Sequence, residues 1–149
     1  KRQRFGLMAP TYHEPLKCST NADIAVSCDT DAIASNGVYT AFNGNSQALL
    51  LRTLMAITKS SIKAAFDQSH KGVVTDLAFS PFADNLLASG SADNTIKLWE
   101  MNHEKIKDNQ QDAIVTLSGH GRPLSGLAWH HIAKNTLATT SQDTTARLW

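Results

Sequence analysis

One stretch of the chain is repeated without a gap, and this repeat constrains the fold more than any other feature. Residues 70–99 read HKGVVTDLAFSPFADNLLASGSADNTIKLW, and residues 120–149 read HGRPLSGLAWHHIAKNTLATTSQDTTARLW. Several separated positions are identical in the two copies, among them His70/His120, Asp93/Asp143, Leu98/Leu148 and Trp99/Trp149. Internal repeats of this size indicate an architecture in which neighbouring units bury each other's apolar faces.

Each unit has the pattern of short β-strands. In Thr95–Trp99, Ile96 and Leu98 share one face while Lys97 points to the other, as the two-residue period of a strand requires. Turn-forming residues such as Pro81 separate the apolar runs. The strands predicted for the first unit are Val74–Phe79, Leu86–Ser91, Thr95–Trp99 and Ile114–Leu117. Four strands per unit are typical of a propeller blade.

The fold expected is therefore all-β: an incomplete propeller of about two clear repeats plus an N-terminal segment. The predicted divisions are an N-terminal segment at 1–37, atypical strands and a linker at 38–69, a repeat at 70–119 and a truncated repeat at 120–149. The last unit stops on its third strand, so we expect the natural protein to continue past Trp149.

The segment before the repeats predicts a hairpin. Val38–Phe42 and Ala48–Arg52 are strand-like, and Asn43-Gly44-Asn45 between them is a favourable turn sequence. Because terminal repeats are commonly atypical, this part is interpreted as the outer strand of a closing blade plus part of the first blade.

Composition excludes several functional classes. A formal net charge of +1 gives no general attraction to nucleic acid or to an anionic membrane. No apolar stretch approaches the roughly 20 residues of a transmembrane helix. Two cysteines, Cys18 and Cys28, form no disulfide framework or zinc motif and favour a reducing, intracellular compartment. Phosphate-loop and dinucleotide motifs are absent from the sequence, so no cofactor is expected. No metal site is expected either, because His130 and His131 would lie on opposite faces of a strand.

The two units resemble WD repeats. The segments that carry the resemblance are Ser-Gly-His at 118–120, LASGSADNTIKLW at 87–99 and LATTSQDTTARLW at 137–149. The usual Trp-Asp ending stands here as Trp99-Glu100, an acidic variant.

In proteins of this kind, each blade holds a buried hydrogen-bond network of four side chains. The resemblance places these on His70, Ser89, Asp93 and Trp99, and on His120, Thr139, Asp143 and Trp149. The His, Ser and Asp of the first set could also be interpreted as a hydrolase triad. Two copies at one spacing favour architecture over catalysis, because a catalytic site needs to be single and exposed beside an oxyanion hole. We therefore expect no catalytic residues and no enzyme.

The order of features before and within the first repeat resembles the coronins. The similar segments are Asp23-Ile24-Ala25-Val26-Ser27, Ala41-Phe42-Asn43 and the string VTDLAFSPF at 74–82. The last string is most similar to the long, tandem-propeller branch of that family.

The coronin resemblance implies a cytoplasmic, non-enzymatic scaffold that binds proteins, in the actin cytoskeleton or in Golgi-linked vesicle traffic and ubiquitin-ligase assembly. Its implied actin-facing segment is Asp23, Ile24, Ala25 and Val26. Actin-binding members carry Arg at the position of Ala25, so the lost positive charge counts against direct F-actin binding. The alternative is a generic WD-repeat adaptor, such as a ubiquitin-ligase substrate receptor without an actin link.

Overall fold

The computed structural model describes residues 33–43, 49–53, 63–66, 70–101 and 112–149. Over these ranges the chain forms eleven strands in three antiparallel sheets, and no helix is present in them. This confirms the all-β, multi-sheet fold that the repeat predicted.

The first sheet is a four-stranded meander in the order β1-β2-β3-β4. Its strands are β1 (Ile33–Ser35), β2 (Tyr39–Asn43), β3 (Leu49–Thr53) and β4 (Lys63–Phe66). Gly37, with φ of 86°, allows the tight turn between β1 and β2, where Asn36 Oδ1 accepts the N–H groups of Val38 and Tyr39.

The predicted hairpin corresponds to β2 and β3, with one difference. Asn43 is the last residue of β2 and pairs with Leu49, so it lies in the strand and not in the turn. The sequence did not predict β1 and β4, which flank the hairpin and complete a sheet of their own.

The second sheet contains the first repeat. Its strands, in the sheet order β5-β6-β7-β8, are β5 (Val74–Phe79), β6 (Leu86–Ser91), β7 (Thr95–Glu100) and β8 (Val115–Ser118). These positions match the four predicted strands to within one residue. In β7, Ile96 is fully buried and Lys97 is only partly buried, as the alternating pattern predicted.

The third sheet contains the second repeat, in the order β11-β10-β9. Its strands are β9 (Leu124–Trp129), β10 (Leu137–Ser141) and β11 (Ala146–Leu148). The two repeats also share an irregularity, a shift in strand register at equivalent positions. The β5–β6 ladder shifts register between Val74 and Asp76, and the β9–β10 ladder shifts at the equivalent position, next to Ser125. Such bulges locally increase the twist of a strand.

The second sheet is buried on both faces because neighbouring residues of its strands point in opposite directions. Leu87 faces the first sheet, in a core with Ala41, Val74, Leu77, Trp99 and Met101. Ala88 faces the third sheet, in a core with Ile96, Leu124, Trp129 and Leu137. Strand β5 packs against β1 and β2 on one side and against β9 on the other. The sheets are therefore stacked side by side, as blades are.

Candidate functional site

The first buried network joins four side chains from three different places in the repeat. His70, just before β5, contacts Ser89 Oγ through Nε2 at 2.7 Å and Asp93 Oδ2 through Nδ1 at 3.1 Å. The indole Nε1–H of Trp99 donates to the same Ser89 oxygen at 2.9 Å. The ring of Trp99 meets the imidazole edge-on, with centroids 6.5 Å apart. The network ties the segment before β5 to β6, β7 and the turn between them.

The charge of Asp93 fixes the proton positions in this network. Burial raises the pKa of Asp93, but hydrogen bonds from the Thr95 hydroxyl and from the Lys71 and Thr95 N–H groups outweigh burial and lower it to about 2. Because the carboxylate can only accept, His70 donates from Nδ1 and its Nε2 is an acceptor. The Ser89 hydroxyl consequently donates to His70 and accepts from Trp99. Burial also lowers the pKa of His70, although Asp93 opposes this effect. The lowered pKa keeps the imidazole neutral.

The second network reproduces this geometry at the equivalent positions. His120 contacts Thr139 Oγ1 and Asp143 Oδ2, both at 2.9 Å. Trp149 Nε1 donates to Thr139 Oγ1 at 2.9 Å, and its ring lies 6.4 Å from the imidazole. The Thr145 hydroxyl is the main cause that lowers the pKa of Asp143. Threonine replaces serine because each network needs a hydroxyl and not a particular side chain.

Two more residue pairs complete the networks, although the sequence analysis did not assign them a role. Thr95 and Thr145 each donate a hydroxyl and a backbone N–H to the aspartate of their turn. Ser91 and Ser141 each accept the backbone N–H of that aspartate. Both pairs are identical in the two repeats, so the repeat alignment carried the signal that identifies them.

The geometry of His70, Ser89 and Asp93 does not suit hydrolysis. The Ser89 side chain is fully buried, and His70 and Trp99 are each only 2% exposed. A nucleophile has to reach substrate, but both hydrogen-bonding capacities of this hydroxyl are used inside the protein. What the arrangement can do is hold a turn rigidly against two strands.

Two further hydrogen bonds connect the second sheet to the third. Asp76 Oδ2 accepts the backbone N–H of Leu127 at 2.7 Å. The indole of Trp129 donates to the carbonyl oxygen of Ala78 at 3.0 Å. Both contacts advance in the same direction along β5 and β9, so the two strands run side by side in the same direction. Equivalent loops of the two repeats therefore lie on the same face of the molecule.

This arrangement separates two faces. We call the side of the aspartate turns the turn face; it comprises residues 70–73, 92–94, 119–123 and 142–145. We call the opposite side the loop face; it comprises the β5–β6 loop at 80–85 and the β9–β10 loop at 130–136. The turn face exposes Lys71 and Arg122, and the loop face exposes Phe82 and Ile132. Residues 121, 122 and 142–144 line a shallow open depression on the turn face.

Three further expectations from the sequence concern the actin-facing segment, metal binding and membrane spans. The segment Asp23, Ile24, Ala25 and Val26 lies outside the described residues. In the ranges that the structure describes, no cluster of three or more His, Cys, Asp or Glu residues is suited to a metal ion. A helix long and apolar enough to span a bilayer is likewise not found in that part of the chain.

A protein-family comparison matches both repeats. The family model described as "WD domain, G-beta repeat" (WD40) matches residues 61–100 and 111–149, which together are more than half of the chain. The chain belongs to the WD40-repeat family. Each of the two repeats encodes one blade and one histidine network.

Several curated relatives of the chain are named coronins, and a solved coronin domain shares its fold. The chain is 28% identical to "Coronin-like protein" of Saccharomyces cerevisiae over 99% of its own length and 24% of that protein. It is 38% identical to "Coronin-7" of Homo sapiens over 62% of its own length and 10% of that protein. The WD40 domain of Toxoplasma gondii coronin superposes with a TM-score of 0.74 at 23% identity, covering 86% of this chain and 34% of that one.

These comparisons identify the chain as a WD40 propeller segment of coronin type. It spans about a quarter of the yeast relative, a tenth of the human one and a third of the solved domain. The coronin resemblance stated from sequence is confirmed.

Proposed function

We propose that this WD40 segment belongs to a non-enzymatic, cytoplasmic protein-interaction scaffold of coronin type that acts on the actin cytoskeleton. The observation that carries the proposal is the pair of buried networks, which fix two adjacent turns in equivalent positions on one face. A rigid framework that presents loops is the usual basis of binding in scaffolds of this kind. The names of the curated relatives supply the coronin context.

Two basic side chains of the turn face suit contact with an acidic partner such as F-actin. Lys71 and Arg122 are both exposed there, one in each repeat, in the segments that precede β5 and β9. Hydrogen bonds from its own turn and its histidine fix the position of each neighbouring aspartate carboxylate and leave it ionised. The turn face therefore combines exposed basic side chains with carboxylates that are held in fixed positions.

Ala25 counts against F-actin as the partner. In the family resemblance its position carries an Arg that contacts the filament, and alanine supplies no charge. If the filament is bound at all, other basic side chains such as Lys71 and Arg122 have to supply the attraction.

The test is co-sedimentation of the full-length protein with F-actin at low and moderate salt, beside an Ala25→Arg variant. Pelleting of the unmodified protein supports an actin-binding scaffold. Pelleting only after Ala25→Arg indicates a coronin-type protein without actin as its partner, and a role in Golgi-linked vesicle traffic then becomes the stronger proposal. Failure of both forms refutes the actin role and leaves the generic WD-repeat adaptor, for example a ubiquitin-ligase substrate receptor.

A matched charge reversal on each face tests which face binds F-actin. Arg122→Glu on the turn face is expected to weaken pelleting about tenfold, because it replaces an attractive charge with a repulsive one. Lys134→Glu makes the same change in net charge on the loop face and is expected to have little effect. Equal losses from the two variants would contradict binding through the turn face.

A further inference from the structure

The β9–β10 loop is held by a histidine that accepts hydrogen bonds. His130 Nδ1 accepts the backbone N–H of Ile132 at 3.0 Å and that of Ala133 at 2.8 Å. Both donors are main-chain amides, so the ring nitrogen has to be the acceptor. The neutral imidazole must then carry its proton on Nε2. This is the reverse of His70, which donates from Nδ1 to Asp93.

The first repeat holds its corresponding loop in a different way. Ser80 occupies the position equivalent to His130, and its Oγ accepts the N–H of Phe82 at 3.3 Å. A hydroxyl oxygen accepts a hydrogen bond at any pH near neutrality, whereas an imidazole nitrogen accepts only while it is unprotonated. The two repeats therefore contain a matched pair of loop caps that differ in their response to protons.

We propose that His130 is a pH-sensitive cap of the β9–β10 loop, which releases the loop when the imidazole is protonated. A proton on Nδ1 occupies the lone pair that accepts the Ile132 and Ala133 amides, and both hydrogen bonds are lost together. Histidine is the side chain that ordinarily gains or loses a proton between about pH 5 and 8. The Ser80 cap of the first repeat keeps its hydrogen bond over the same range.

The released segment carries the most exposed large apolar side chain of the described residues. Ile132 is 85% exposed at the tip of this loop, and Phe82, 42% exposed, occupies the equivalent position in the neighbouring blade. Loss of the cap changes how Ile132 is presented and leaves Phe82 in place. The apolar surface of the loop face therefore depends on pH in the blade that carries Ile132 and not in the blade that carries Phe82.

Other charged groups on this face have to be separated from His130. Of the described residues, the titratable or charged side chains on the β9–β10 loop and on the adjoining ends of the second sheet are His131, Lys134, Asp84 and Glu100. His131 is the neighbouring histidine and accepts neither of the two amides, which makes it the matched control.

The experiment is hydrogen–deuterium exchange of the full-length protein at pH 7.5 and pH 5.5, with each rate corrected for the exchange of an unstructured peptide at that pH. The protection of amides in residues 131–136 is expected to fall about fivefold at pH 5.5, the effect of losing modest hydrogen bonds. The His131→Asn variant is expected to show the same decrease. His130→Ser, which copies the cap of the first repeat, and His130→Asn are expected to remove the pH dependence.

Two results would overturn the proposal. One is an unchanged pH response of this loop in His130→Ser, which would assign the response to another group. The other is a neutral His130 with its proton on Nδ1, measured by NMR of the wild-type protein with ¹³C-labelled histidine. The second measurement requires no substitution, so the proposal remains testable even if a variant folds poorly.

Discussion

Asp76 on β5 accepts the backbone N–H of Leu127 on β9 at 2.7 Å and thereby joins two blades. Its other carboxylate oxygen accepts the N–H of Leu77 at the same distance. The residue equivalent to Asp76 in the second repeat is Gly126, and a Cβ at that glycine would lie 3.6 Å from the Asp76 carboxylate. The two positions of the repeat have diverged, since one supplies the acceptor and the other carries no side chain, although a Cβ there would make only an ordinary van der Waals contact.

Removing this acceptor is expected to weaken the contact between the blades. Asp76→Ala leaves two amides without their partner and should lower the free energy of unfolding by about 2 kcal/mol, as hydrogen bonds to charged groups typically do. Chemical unfolding of the full-length protein measures this. Asp84→Ala, on an exposed loop, is the control and should cost less than about 0.5 kcal/mol. Equal effects of the two substitutions would contradict the role of Asp76.

Substitutions of Thr139 can separate the contribution of its hydroxyl to stability from the contribution of its volume. Thr139→Val keeps the shape but leaves the buried His120 Nε2 and the Trp149 indole without their shared partner. This should cost about 2–4 kcal/mol, the penalty for two polar groups buried unsatisfied. Thr139→Ser keeps the hydroxyl, as Ser89 does in the first repeat, and should cost about 1 kcal/mol for the lost methyl. Thermal unfolding compares the two, and a milder effect of valine than of serine would argue against the network.

The first network should make the protein sensitive to acid in two steps. Burial lowers the pKa of His70 below 6.5, so the unfolded chain binds this proton more readily, and stability is complete above about pH 6.5 and decreases as the pH falls. The lowered pKa of Asp93 adds a second loss as the pH falls from about 3.8 towards about 2.

The first step can be measured as the free energy of unfolding between pH 7.5 and 5. His70→Gln should be less stable than the wild type at pH 7.5 and should show a smaller decrease towards pH 5. His131→Asn, on an exposed loop, should leave the slope unchanged. A wild-type protein that gains stability towards pH 5 would disprove the assignment.

Thr144 adopts a backbone conformation that a β-branched residue rarely adopts. Its φ is 66°, and the equivalent residue of the first repeat, with φ of 69°, is Asn94. Asparagine tolerates the left-handed region and threonine does not, so the second turn is strained. Thr144→Asn should raise the free energy of unfolding by about 1 kcal/mol, and Asn94→Thr should lower it by about the same amount. Chemical unfolding of the two reciprocal variants tests this, and a destabilising Thr144→Asn would show that the turn carries no strain.

The sequence by itself determined what lies within one repeat. Strands β5 to β8 could be predicted because the repeat encodes them locally and the second copy confirms the register, and the resemblance to WD repeats implied the members of both networks. His70 and His120, for example, share their 23-residue spacing to the aspartates that they contact. Side chains at a fixed spacing in two copies have to serve a purpose that both copies share.

Tertiary structure decided what lies between the repeats and outside them. The contacts of Asp76 with Leu127 and of Trp129 with Ala78 join residues of different blades and have no counterpart in the alignment, so no pattern indicated them. Strands β1 and β4 contain small residues with weak strand preference, and their pairing with β2 and β3 defines them. The acceptor role of His130 could not be predicted either, because which nitrogen faces which amide follows from the path of the backbone and not from the order of residues.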